Sequence, residues 1–327
     1  MKAFDYVAPG SIESSMQALR GASADEARLL AGGTDLLPLM KAHIAEPRLL
    51  VSLKRAADLP RDIVVDAEGL RIGALATLAD IERHPAIARD FTALAQAASS
   101  AATPQLRNMA TLGGTLLQRP RCWYFRNEAF HCWLKGGSEC MARDGENGLH
   151  ALFDTGPCRA VHPSDIACAL MALDAQVELR TARAARSLSL RTFLAPPTDE
   201  RRVETVLGTR EVVTAVRVPR PASSVRSVYL KTMDRAVWAF AVVSVAACAR
   251  IESGRLEDLR VVLGGVAAVP WAVEGAMQSL QGANPDAESI AQAARDALAG
   301  AEPLRMNGYK VPLAQNLIRR ALHALIS

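Results

Sequence analysis

The sequence predicts an α+β protein: a larger N-terminal region of mixed strands and helices, then a small strand-rich domain that ends in helices. Three observations predict it. Two glycine turns, Ala31-Gly32-Gly33-Thr34-Asp35 and Thr111-Leu112-Gly113-Gly114-Thr115, each stand among alternating apolar runs and helical patterns. The run Pro219-Arg220-Pro221-Ala222-Ser223-Ser224 reads as a linker. Between turns and linker, residues 122–158 carry four of the six cysteines and interrupt the pattern.

The elements follow in order. Ile12, Met16 and Leu19 at i, i+4, i+7 predict an amphipathic helix over 12–20 after the Pro9-Gly10 turn. A short apolar strand then leads through Gly32-Gly33 into a helix over 36–43, with Pro38 tolerated in its first turn. Such a turn brings backbone close to a ligand, and free N–H groups at a helix start favour an anion such as pyrophosphate. Taken alone the motif also suits a purely structural turn. Residues 48–53 read as a strand, and 63–66 with 70–74 as a hairpin around Glu68-Gly69. Thr77 and Asp80 have capping-box spacing for a short helix, and an Ala-rich helix over 91–102 ends at Thr103-Pro104. After the cysteines, His162-Pro163-Ser164-Asp165 precedes an apolar helix over 166–173, with Ser164 or Asp165 as N-cap. Strands are expected at 177–180, 187–190 and 211–218. Beyond the linker, strands at 227–232, 239–250 and 259–263 form a three-stranded sheet covered by helices at 273–281, 286–299 and 312–326.

Composition narrows the function. A chain of 327 residues with 50% hydrophobic and 22% charged residues is globular and long enough for more than one core. The net charge of +4, without a basic run, gives nucleic acid no electrostatic footprint. The longest apolar run, 236–249, is too short to span a bilayer, which takes about 20 residues. No signal peptide is visible, so a cytoplasmic location is expected, with export on a partner's signal as the alternative.

The clustered cysteines, Cys122, Cys132, Cys140 and Cys158, suit reduced thiols acting as soft ligands. Their wide spacing lacks the tight pairs of zinc knuckles, yet spacing alone leaves zinc, an iron–sulfur cluster and idle thiols open. Trp123, Tyr124, Phe125, Phe130 and Trp133 suit a shield around a cluster, and Arg119, Arg121 and Arg126 suit an offset to its negative charge. His131 and His150 are possible substitute ligands. Cys168 and Cys248 read as core residues.

AGGTDLLPLM (31–40), RNMATLGGTL (107–116) and HPSD (162–165) resemble the flavin-binding subunit of the molybdenum hydroxylases. That group includes xanthine dehydrogenases, carbon monoxide dehydrogenases and bacterial aldehyde oxidoreductases. VYLKTMDRAVWAFAVVSVA (228–246), LGGVAAVPW (263–271) and NGYKVPLAQNLIRRAL (307–322) resemble its C-terminal domain, so the likeness covers nearly the whole chain. The cysteine stretch resembles the sub-branch whose flavin subunit also holds a [4Fe-4S] cluster, and its wording is closest to the heterotrimeric aldehyde oxidoreductase type.

The resemblance implies a two-subdomain FAD-binding fold of the vanillyl-alcohol oxidase type over 1–221, with subdomains 1–55 and 56–221 and a cluster insertion at 119–160. A small α+β domain over 222–327 follows. It implies that Ala31, Gly32, Gly33, Thr34, Asp35 and Leu36 wrap the FAD pyrophosphate, and that Thr111, Gly113, Gly114 and Thr115 form a second phosphate-side loop. Ala101 and Asp165 would touch FAD, Lys231 would lie near the isoalloxazine, and the four cysteines would hold [4Fe-4S]. Thr115 stands where relatives commonly have Asn, and no histidine follows the first turn to attach flavin covalently. The implied partners are a large molybdenum-cofactor subunit, a small subunit with two [2Fe-2S] clusters and an external acceptor. No residue reads as a substrate acid or base. The rivals are a stand-alone flavoprotein oxidase or dehydrogenase, and a non-catalytic zinc-stabilised interaction protein.

Overall fold

The computed structural model describes residues 1–23 and 25–327, and three sheets organise them. The first is parallel. Strands β1 (Asp5–Val7), β2 (Ala27–Leu30) and β3 (Leu49–Ser52) lie in the order β1-β3-β2. Parallel neighbours need crossovers. The helices Ile12–Ala18 and Leu36–Lys41 supply them, the first opened by a capping box between Ser11 and Ser14.

The second sheet is antiparallel, built from β4 (Ile63–Val65), β5 (Gly69–Gly73), β6 (Gln176–Arg180), β7 (Ala185–Ser189) and β8 (Val212–Pro219) in the order β4-β5-β8-β6-β7. Between β5 and β6 the chain leaves the sheet for residues 74–175. That excursion carries the helices Leu78–Arg83, Pro85–Asp90 and Thr92–Ser100, the second glycine pair, the cysteines and the helix Asp165–Ala172. Every residue of this last helix is buried, which is why its sequence is apolar on all sides.

The third sheet contains β9 (Val225–Thr232), β10 (Val243–Glu252), β11 (Arg255–Gly264) and β12 (Trp271–Ala272), in the order β12-β11-β10-β9. The sheet therefore has a fourth, two-residue strand beyond the three expected. The strand expected from residue 239 begins instead at Val243, and the apolar residues 239–242 line a cleft. The helix Lys310–Ile326 lays Ala314, Leu317, Ile318, Ala321, Leu322 and Leu325 against this sheet, a 3–4 spacing that makes one face apolar. Each large member stabilises the packing by roughly 1.5–3 kcal/mol.

Residues 122–158 form no regular element beyond a short 3₁₀ turn, Trp133–Lys135. Their order comes from a small core of their own: Tyr124, Phe125, Trp133, Leu134 and Ala142, joined by Leu39 from the helix after the first glycine turn. Cys168 and Cys248 are buried in the main core, as expected of small apolar residues. No helix among the described residues is long and apolar enough to cross a membrane.

Candidate functional site

The two glycine segments meet. A Cβ on Gly32 would stand 1.9 Å from the Met109 carbonyl oxygen, so only glycine admits this approach of the first turn to the segment before the second. Gly33 has φ +77°, the left-handed region that lets the chain turn from β2 into the helix Leu36–Lys41. Among the described residues no protein acceptor takes the N–H groups of Gly32, Gly33, Thr34, Asp35 or Leu36. A row of consecutive unpaired N–H groups is a concavity suited to an anion.

The second segment is a short helix, Leu112–Leu116, rather than the phosphate-side loop the resemblance implies. Thr111 caps it, its Oγ1 accepting the Gly114 N–H at 3.2 Å. The Leu112 and Gly113 N–H groups donate to Ala76 O (2.8 Å) and Ala74 O (3.0 Å). These three donors are used inside the protein, and Gly113 owes its identity to close packing on Ala74. Thr115 is buried beside them.

Ala101, Asp165 and Lys231 come together although they are far apart in sequence. Lys231 Nζ donates to Asp165 Oδ2 (2.8 Å) and to the carbonyl of Ser100 (3.1 Å), the residue before Ala101. The Tyr229 hydroxyl donates to Asp165 Oδ1. Ser164, not Asp165, is the N-cap of its helix, accepting from Ala167 N at 3.1 Å. Asp165 is thus free for the network. Burial raises its carboxyl above the ordinary range against the pull of Lys231 and Tyr229. Tyr229 is a member the sequence did not reveal; an aromatic in a strand ordinarily reads as packing.

Asp35 joins the first turn to the start of the cysteine stretch. Its carboxylate accepts the Arg119 N–H (2.9 Å) and pairs with Arg121 (2.9 Å) and Arg126 (2.6 Å). The Arg119 side chain pairs with buried Glu204 at 3.1 Å. These three arginines are therefore paired with two carboxylates, Asp35 and Glu204. The buried arginine flanking the cysteines is Arg159. Its backbone N–H reaches Cys140 Sγ (3.4 Å), and its Nε and Nη1 meet no protein acceptor among the described residues.

Cys122, Cys132, Cys140 and Cys158 line one small apolar cavity with Tyr124, Phe125 and Trp133. Phe130 packs edge-on against Tyr124, whereas Trp123 turns from the cavity to the neighbouring cleft and is partly exposed. Among the described residues, no three His, Cys, Asp or Glu side chains converge closely enough for a single metal ion. Four thiols around one cavity fit a larger thiolate-bound group better than one zinc, which draws its ligands together at about 2.3 Å each. Cys158 hydrogen-bonds to Cys140, and with N–H groups of Arg159 and Ala142 this draws the Cys140 thiol down to about 6. Burial pushes Cys122 up to about 11. His131 is exposed. His150 is buried with Nε2 3.2 Å from Cys122 Sγ; burial and the Lys310 charge lower it to about 4.

Beside this cavity lies a cleft of about 250 Å³ that includes Trp123, His150, His162, Asp165, Phe240 and Ser244. Among the described residues Cys122 alone lines both spaces.

This architecture is that of a flavin subunit. The chain belongs to the family of FAD-binding domains in molybdopterin dehydrogenases, whose model matches residues 2–221; the carbon monoxide dehydrogenase flavoprotein C-terminal domain matches 228–325. It is 40% identical to an aldehyde oxidoreductase FAD-binding subunit of Escherichia coli over 98% of both chains. It is 28% identical to the carbon monoxide dehydrogenase medium chain of Hydrogenophaga pseudoflava, over 98% of this chain and 96% of that one. A solved carbon monoxide dehydrogenase from that organism superimposes with a TM-score of 0.79 at 26% identity, covering 99% and 97% of the two chains. Quinoline 2-oxidoreductase from Pseudomonas putida matches with a TM-score of 0.77 at 25% identity, over 100% and 98%. The chain is an oxidoreductase subunit of this class.

Proposed function

We propose that this chain is the FAD- and [4Fe-4S]-carrying electron-transfer subunit of a heterotrimeric molybdenum oxidoreductase of the aldehyde oxidoreductase kind. The observation that carries the reading is the four-thiol cavity, which shares Cys122 with the cleft containing Asp165. The free N–H row over 32–36 supports pyrophosphate binding by Ala31, Gly32, Gly33, Thr34, Asp35 and Leu36. Thr111, Gly113, Gly114 and Thr115 form the second wall, next to the Met109–Ala110 backbone on which Gly32 packs. Ala101, Asp165 and Lys231 serve the flavin end, where a buried lysine–aspartate pair supplies fixed charge without water. Cys122, Cys132, Cys140 and Cys158 are the cluster ligands. When bound, FAD accepts electron pairs and the cluster passes single electrons.

The partners in this reading are a large molybdenum-cofactor subunit, a small [2Fe-2S] subunit and an external acceptor. The names of the relatives, a medium chain among them, support a multi-subunit assembly. The test is metal and flavin analysis of the native complex with and without Cys140→Ser. The substitution is expected to remove about four iron atoms per complex, with molybdenum and FAD retained. Unchanged iron refutes the cluster assignment.

A further inference from the structure

We infer that His150 is a positioning residue for Cys122: its Nε2–H donates to the sulfur and thereby sets the reduction potential of the group the four cysteines bind. The inference rests on the cluster reading above. Its geometry does not. Nε2 lies 3.2 Å from Cys122 Sγ, and His150 is 2% exposed. The ring cannot wander. Trp123 meets it edge-on at 4.9 Å, and the backbone N–H of His150 donates to Asn147 O at 3.0 Å. Its carbonyl accepts from Lys310 Nζ (2.9 Å) and Asn307 Nδ2 (3.1 Å), so the NGYK segment of the C-terminal domain clamps the backbone that carries the imidazole.

The direction of the bond follows from donor and acceptor capacity. His150 Nδ1 is buried without a partner in hydrogen-bonding geometry, although the Asn147 carbonyl lies close enough to favour a proton on the ring. A metal-bound thiolate has no proton to give, so a bond to it requires the ring proton on Nε2. With the proton on Nε2 the bond runs into the sulfur, which as a metal-bound thiolate only accepts. Cys140 and Cys158 receive backbone N–H groups, from Arg159 and Ala160, both at 3.4 Å. Cys122 alone of the four lines the neighbouring cleft. The side-chain donor is thus aimed at the sulfur whose residue lines both spaces. A donor to a ligating sulfur stabilises the more negative, reduced state and raises the potential.

The test is a redox titration of the holoprotein, read by visible absorbance and by the electron paramagnetic resonance of the reduced cluster. Two variants are compared: His150→Phe, a ring with no donor, and His150→Gln, a donor with no ring. The expected result is a lowered cluster potential with an altered resonance in His150→Phe, and a potential near that of the unaltered protein in His150→Gln. Loss of the cluster in His150→Phe alone, with His150→Gln retaining cluster and potential, also supports the donor. An unmoved potential in His150→Phe overturns the inference, as does an equal shift or loss of the cluster in both variants. Absence of iron and cluster absorbance from the unaltered protein overturns the cluster reading itself.

Discussion

Gly32→Ala tests whether the two glycine segments work as one site. The added Cβ would meet Met109 O at 1.9 Å and Met109 C at 2.8 Å, both backbone atoms with no rotamer to escape into. Restoring van der Waals contact requires the segments to part by about 1.5 Å, an overpacking strain of roughly 1–3 kcal/mol. The greater effect falls on FAD. The N–H row over 32–36 would move with the turn, and losing two charge-assisted hydrogen bonds costs about 3–6 kcal/mol, a fall in affinity of about a hundredfold or more. Gly275→Ala is the control, because its Cβ would meet nothing within 4 Å and it lies outside the candidate site. The assay is flavin stoichiometry after purification, followed by titration of flavin-free protein with FAD and thermal unfolding. Gly32→Ala is expected to leave the column largely flavin-free with a lowered Tm, and Gly275→Ala nearly full. Equal FAD affinity in both variants would refute the assignment of the first turn as the donor segment.

Other perturbations probe separate links. Lys231→Met leaves Asp165 buried without its cation, a loss of about 3–5 kcal/mol in chemical denaturation; adding Asp165→Asn is expected to restore part of it, and strict additivity would argue against a pair. Lys310→Met strands the carbonyls of Leu149, His150 and Gly265 and is expected to destabilise by about 2–4 kcal/mol. Burial lowers Lys310 to about 7 from 10.5, so between those values the unfolded chain binds the extra proton and stability rises with pH. That rise should flatten in Lys310→Met; an identical slope in denaturation midpoints from pH 7 to 10 would remove Lys310 as its source. Asp35→Asn is expected to speed proteolysis within 119–160 by loosening Arg121 and Arg126, with unchanged cleavage counting against the clamp.

Periodicity made most of the fold legible. The helix Ile12–Ala18, the hairpin of β4 and β5, and the strands β9 to β11 lie within a few residues of their expected bounds, because each carries an apolar face of the right period. The misses share a cause. Strand β1 is three exposed residues, Asp5–Val7, and exists only because β3 pairs with it across more than forty residues. Strand β12 is likewise defined by its partner β11. The Gly113-Gly114 pair reads as a turn by composition, yet the Thr111 cap and the carbonyls of Ala74 and Ala76 hold it helical. In each case a contact from elsewhere in the chain overrides local preference.

The site was legible in its parts and not in its joints. Residue type marks Gly32, Cys140 or Asp165 as chemistry-bearing, since few other side chains do what they do. Nothing local marks Asp35 as the residue that carries Arg119, Arg121 and Arg126, because those pairs span 84 residues or more and obey no period. The same holds for Tyr229 on Asp165 and His150 on Cys122. These joints have a physical consequence. Asp35 belongs at once to the turn with the free N–H row and to the anchor of the cysteine loop, and Cys122 belongs to both cavity and cleft. A displacement of either residue therefore disturbs both places it joins, and under the proposed reading that coupling holds the flavin and the thiol-bound group at a fixed separation.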